Sequence, residues 1–117
     1  MTDRELLELA AKASGLVVRW HSHGHYGPTM EIMEDESGGP PWNPIADDGD
    51  ALRLAVKLQL EIVPVDGRVD VCKPGTKPFV CACESGPNFC AATRRAIVRA
   101  AAELGKAMVE RLKCGFC

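Results

Sequence analysis

Six cysteines, three histidines and a run of aspartates are the residues of this chain whose chemistry could ligate a metal or react covalently. Four of the cysteines, Cys72, Cys81, Cys83 and Cys90, follow the spacing C-x8-C-x-C-x6-C. If the chain turns about Gly75 and Thr76, Cys72 lies across a hairpin from Phe79. Cys81 and Cys83 then share that face by the two-residue alternation of a strand, and Cys90 opens the element that follows. Four converging thiolates suit tetrahedral zinc. The spacing is not that of a standard zinc finger, and a free cysteine is also a small hydrophobe that is commonly buried. The expectation is therefore reduced, mostly structural thiols, with zinc as the alternative. Cys114 and Cys117 have the spacing of a ligand pair. They follow a helix of about 25 residues, roughly 37 Å long, which carries them away from the hairpin's open end. Reactive thiols at a frayed terminus are expected there.

His21, His23 and His25 alternate, so a strand persisting through His25 would put three imidazoles on one face, a metal-binding arrangement. Gly24 and Gly27 favour a polar turn instead. Asp47, Asp48 and Asp50 have a spacing that can hold a divalent cation, but they lack the oxygen ligands and late glutamate of a calcium loop. Capping the start of a helix is the expected role.

A third set suits anions. Ser85-Gly86-Pro87-Asn88 leads into the last helix, with Arg94 and Arg95 in its early turns. Backbone N–H groups and the helix dipole favour a negative charge there, and arginine adds bidentate donors. Gly86, Asn88, Arg94 and Arg95 are the candidate ligand-binding residues, against solvated surface arginines. Arg94 lies nearer the flank where helix meets sheet; Arg95 shares a stripe with Arg99 toward solvent. No Walker or dinucleotide fingerprint is present.

These groups must be positioned by the elements the sequence predicts. Thr2 and Glu5 form a capping box for a first helix ended by Gly15. Leu16 to His23 and Thr29 to Glu34 read as strands, with Leu16, Val18 and Trp20 on one face. Asp35 to Pro41 is a loop. Pro40, Pro41 and Pro44 frame Trp42, expected to plug the core. From Ala51 to Leu58 only Arg53 and Lys57 interrupt the apolar run, so this helix is expected to be central and mostly buried. Glu61 to Val65, Val69 to Cys72 and Pro78 to Cys83 read as strands. Phe89 to about Lys113 reads as a long helix with an apolar stripe from Phe89 through Ala96, Ile97, Ala100, Ala101, Leu104 and Met108 to Leu112. Gly105 within it suggests close packing. The expectation is one domain over residues 1–117, an α+β or α/β/α sandwich. Its order is α-β-β-α-β-β-β-α, a mostly antiparallel sheet of about five strands packed by three helices.

A formal net charge of -2 leaves no general basic field for nucleic acid or an anionic membrane. No apolar run approaches a membrane span, and the acidic, amphipathic start is not that of a signal peptide.

Trp42 to Leu58, W-N-P-I-A-D-D-G-D-A-L-R-L-A-V-K-L, followed by A-T-R-R-A-I-V-R-A-A-A-E-L-G, resembles small phage-encoded proteins of the phage ABA-sandwich family. More distantly the chain is similar to accessory proteins of the Nin region of lambdoid phages. The similarity spans nearly the whole chain but carries over no catalytic residues; the segment from Cys72 to Cys90 and the Cys-Gly-Phe-Cys tail lie outside its pattern. The resemblance implies a non-enzymatic accessory protein of the host bacterial cytoplasm that binds a host protein or a small anionic ligand such as a nucleotide, with counter-defence among its roles and homo-oligomers allowed. The alternative is a small metal-dependent hydrolase or transferase using His21, His23, Asp47 and Asp50. The binding protein is favoured because no nucleophile–base pair or complete metal set is visible.

Overall fold

The computed structural model describes residues 1–22, 28–75 and 79–114. The helices are α1 (Asp3–Ser14), α2 (Asp48–Leu58) and α3 (Phe89–Cys114), and the strands are β1 (Val18–Ser22), β2 (Pro28–Ile32), β3 (Glu61–Val65), β4 (Arg68–Lys73) and β5 (Val80–Glu84). Their order is the expected one, and every strand pair is antiparallel. Of the two architectures left open by the sequence, α+β is the one found.

The strands form two sheets rather than one, a β1–β2 hairpin and a β3–β4–β5 meander. The reason lies beside β2. Ile32 N–H donates to the Pro40 carbonyl at 2.9 Å, and Trp42 N–H donates to the Met30 carbonyl at 2.8 Å. The segment around Pro41 thus fills the position beside β2 where a further strand would pair.

Helix limits follow local chemistry. The Thr2 hydroxyl accepts from Glu5 N–H at the start of α1, and left-handed Gly15 closes it. Helix α2 begins at Asp48, three residues before the apolar run. Asp47 caps it, which puts Asp48 and Asp50 in its first turn near the positive end of the helix.

Helix α3, not α2, is the hub. It packs against α1, α2, β4 and β5. Ala96, Ala100, Ala101 and Ala102 are buried with Val98 and Ile97, so the middle of the helix is enclosed except along the stripe of Arg95, Arg99 and Glu103. The alanine run makes this feasible, because short side chains let neighbours approach from several directions. At Gly105 a Cβ would stand 2.0 Å from the Leu9 carbonyl oxygen, so the α1–α3 crossing requires glycine there. The helix α2 departs from expectation. It buries Ala51, Leu54 and Ala55, whereas Leu52 and Val56, one turn apart, are 59% and 69% exposed. Trp42 is 3% exposed and belongs to the core. Trp20 lies against α1, its indole N–H donating to Glu8 at 2.9 Å and its ring beneath Arg4.

Candidate functional site

The geometry of the β3–β4–β5 sheet follows from one turn. Val65 and Arg68 flank the two-residue turn Asp66-Gly67, with Gly67 in the left-handed region at φ 81°. The pair closing such a turn exchanges both backbone hydrogen bonds. Alternation then points the N–H and C=O groups of Arg68, Asp70 and Cys72 toward β3, and those of Val69, Val71 and Lys73 toward β5. Pro64 sits opposite Val69, where its missing N–H removes no ladder bond.

On β5, Val80, Ala82 and Glu84 therefore bond to β4, opposite Lys73, Val71 and Val69. The backbone groups of Cys81 and Cys83 point the other way, to the outer edge of the sheet. Arg99 Nη1 donates to the Cys83 carbonyl at 2.9 Å, as that orientation requires. Arg99 also pairs with Glu84, so α3 covers one end of this edge.

Side chains alternate between faces. Val69, Val71, Val80 and Ala82 are buried beneath α3, and Asp70, Cys72, Cys81 and Cys83 occupy the opposite face. Cys72 pairs with Cys81 and Asp70 with Cys83. This corrects the register expected from the sequence, which set Cys72 across from Phe79. The link from Lys73 to Val80 is longer than a tight turn at Gly75 and Thr76 allows. The shift is an even number of residues, so the three thiols still share a face.

Electrostatics on that face tie the groups together. The Cys72 thiol, then partial burial, holds Cys81 above the ordinary thiol value of 9.0. The Asp70 carboxylate does the same to Cys83 by accepting its S–H and by repelling the thiolate. In return the Cys83 thiol, followed by Arg68, holds Asp70 below the usual carboxylate range. Arg68 Nε stands 3.2 Å from Asp70 Oδ1, an atom sealed from solvent with no well-aligned nitrogen or oxygen donor. Both thiols are thus held toward the neutral form, the less nucleophilic one.

The open edge of β5 borders a groove of about 650 Å³ against the C-terminal half of α3. Phe79, Cys81, Leu104 and Met108 line it, and charges of both signs, among them Glu103 and Lys106, stand around it. Phe79 is 68% exposed, and Met108 is exposed as well. Sequence reasoning missed Phe79, assigned Met108 to a buried stripe, and passed over Asp70. The signal for Asp70 was its position two residues before Cys72 on one strand. For Met108 it was the length of α3, which outruns the layer that covers it.

The predicted anion site is organised differently. Asn88 Oδ1 accepts from Ala91 N–H at 3.0 Å, so Asn88 caps α3. Gly86 holds a φ of 151° just before it. Arg94 turns toward α2. Its Nε donates to the Ile45 carbonyl at 2.8 Å, its Nη1 meets Asp48 at 2.6 Å, and its side chain is 18% exposed. Arg95 meets Asp3 at 3.1 Å. The two arginines leave the helix toward different neighbours and do not converge.

The acids preceding α2 are engaged in the same way. Asp47 Oδ2 accepts from Asp50 N–H at 2.8 Å, and Asp50 accepts from Asn43 N–H at 2.9 Å and from Arg53 at 2.8 Å. His21 lies on β1 opposite Thr29. His23, His25 and Cys117 lie outside the described residues. Cys90 is exposed in the first turn of α3, not on the strands that carry the other three thiols. Among the described residues, no three His, Cys, Asp or Glu side chains are placed together to hold a metal ion. Among the same residues, no helix is long and apolar enough to cross a membrane. No protein-family model, curated protein or solved structure matches the chain.

Proposed function

We propose that this protein is a non-enzymatic binding module that takes up an extended segment of a partner protein along the outer edge of β5. The observation that carries this reading is the outward set of the Cys81 and Cys83 backbone beside a half-apolar groove with Phe79 exposed at its margin. An extended peptide can add a strand to such an edge and seat alternate side chains in the neighbouring groove. The resemblance in the sequence supplies a setting: a phage accessory protein acting on a host protein in the bacterial cytoplasm, with counter-defence among its roles.

Two other readings have less support. A small anionic ligand at Gly86, Asn88, Arg94 and Arg95 would meet arginines that already hold Asp48, Asp3 and the Ile45 carbonyl. A hydrolase or transferase built on Asp47 and Asp50 would need carboxylates that already serve Asn43, Asp50 N–H and Arg53.

The test uses peptides selected from a random linear library against the purified protein, titrated calorimetrically into wild type and variants. Covering a phenylalanine contributes about 1.5 to 3 kcal/mol, so Phe79→Asp should weaken binding by roughly 10- to 150-fold. Arg95→Ala should leave it unchanged. Selected peptides that bind Phe79→Asp as well as wild type, or a protein that binds mononucleotides and selects no peptide, would overturn the reading.

A further inference from the structure

We propose that Cys72 and Cys81 form a reversible dithiol–disulfide couple that closes across β4 and β5 by exchange with a small-molecule disulfide. This goes beyond the partner reading and stands independently of it.

The geometry selects this pair. Cys72 and Cys81 are direct cross-strand partners, and both are free thiols. The turn at Asp66-Gly67 makes theirs a non-hydrogen-bonded pair, in which Cα atoms approach to about 4.5 Å with their side chains on one face. A disulfide accepts Cα separations of roughly 4.4 to 6.8 Å. The competing pairs fit worse. Cys81 and Cys83 are two residues apart on one strand, about 6.8 Å, with parallel Cβ directions. Cys72 and Cys83 are diagonal neighbours at about 7 to 8 Å. Cys90 stands on α3 rather than on either of these strands.

The steps balance with a disulfide RSSR as the named oxidant. Exposed Cys81 loses its proton, and its thiolate attacks one sulfur of RSSR. The S–S bond breaks, the departing thiolate takes up the proton, and a mixed disulfide stands on Cys81. Half-buried Cys72 then gives up its proton and attacks Cys81 Sγ, and the second RSH leaves with that proton. Two protein thiols are oxidised and one RSSR is reduced to two RSH. The reverse exchange reopens the pair, as expected for a disulfide near a surface. The Cys72 thiol keeps Cys81 protonated near neutrality, so closure should accelerate as pH rises toward and beyond the ordinary thiol value of 9.0.

The test is incubation of the full chain with mixtures of glutathione and glutathione disulfide, followed by alkylation, chymotryptic digestion and mass spectrometry. Cleavage after Phe79 separates Cys72 from Cys81, whereas Cys81 and Cys83 stay on one peptide. The expected product is a disulfide joining the two peptides within one chain, retained in Cys83→Ser and reversed by excess glutathione. In Cys72→Ser, Cys81 should stop at the mixed disulfide. Wild-type protein in which Cys72 is alkylated while glutathione stays on Cys81 would overturn the proposal. So would a link that disappears in Cys83→Ser, or one found only between chains.

Discussion

The approach to α2, from Trp42 to Asp50, and the outer edge of β5 are both dense in groups that could do chemistry, and they use them in opposite ways. Before α2, Asn43 N–H is held by Asp50, and the N–H groups of Ile45 and Ala46 lie against Asn43 Oδ1. Asp47 N–H goes to the Asn43 carbonyl, Trp42 N–H goes to Met30, and Arg94 takes the Ile45 carbonyl. The acids and the arginine hold the backbone. At β5, alternation turns the Cys81 and Cys83 backbone away from the sheet, where Arg99 takes the Cys83 carbonyl, and the thiols lie on the open face. Residue type alone therefore does not mark a binding site. The test is whether each polar group already holds part of the same chain.

The largest expected effect lies in the first region. Trp42→Ala should cost roughly 3 to 5 kcal/mol, because it removes a buried aromatic plug. A urea unfolding midpoint equal to wild type would contradict a structural role for this segment. Arg94→Ala comes next, at about 1.5 to 3 kcal/mol, since it breaks charge-assisted bonds to both Ile45 and Asp48. Asp48→Ala should cost less, under about 1 kcal/mol, because that carboxylate is largely exposed. Equal losses would mean that the bond to the Ile45 carbonyl contributes nothing. The smallest effect belongs to the open face. Asp70→Asn should bring the Cys83 thiol back toward its ordinary value, and so speed its alkylation at about pH 8. A slower rate would show that Asp70 activates the thiol rather than restraining it. The raised thiol values also set a direction for stability. The neutral thiols favour the folded state below 9.0, and that contribution is lost as pH rises through their folded values. The urea midpoint should fall less steeply above that pH in a Cys81→Ser, Cys83→Ser variant than in wild type.

Much of the fold was legible because its signals are local. Thr2 and Asp47 mark helix starts by side-chain capping, and Gly15 marks a helix end. Period-two alternation correctly grouped Cys72, Cys81 and Cys83 on one face. The rest depended on relations that no short window contains. The β4–β5 register depends on which residue of β5 meets Lys73, and that is Val80. The split into two sheets depends on the Pro40–Trp42 segment filling the side of β2. The hub role of α3 depends on alanines whose size matters only once four neighbours surround them. For the candidate site, the chemical groups were readable but their partners were not. Arg94 reads as an anion donor until Ile45 and Asp48 are seen beside it.

Amide hydrogen exchange, resolved by residue, tests the contrast most directly. The amides of Trp42, Asn43, Asp47 and Asp50 have acceptors within the chain. They should exchange slowly, as should Ala82, which faces Val71 across the ladder. Cys81 and Cys83 should exchange at least about fivefold faster than Ala82, since a missing hydrogen bond is worth about 1 kcal/mol or more in local protection. Protection of Cys81 and Cys83 equal to that of Ala82, or rapid exchange at Asn43 and Asp50, would contradict the assignment of a closed approach to α2 and an open edge at β5.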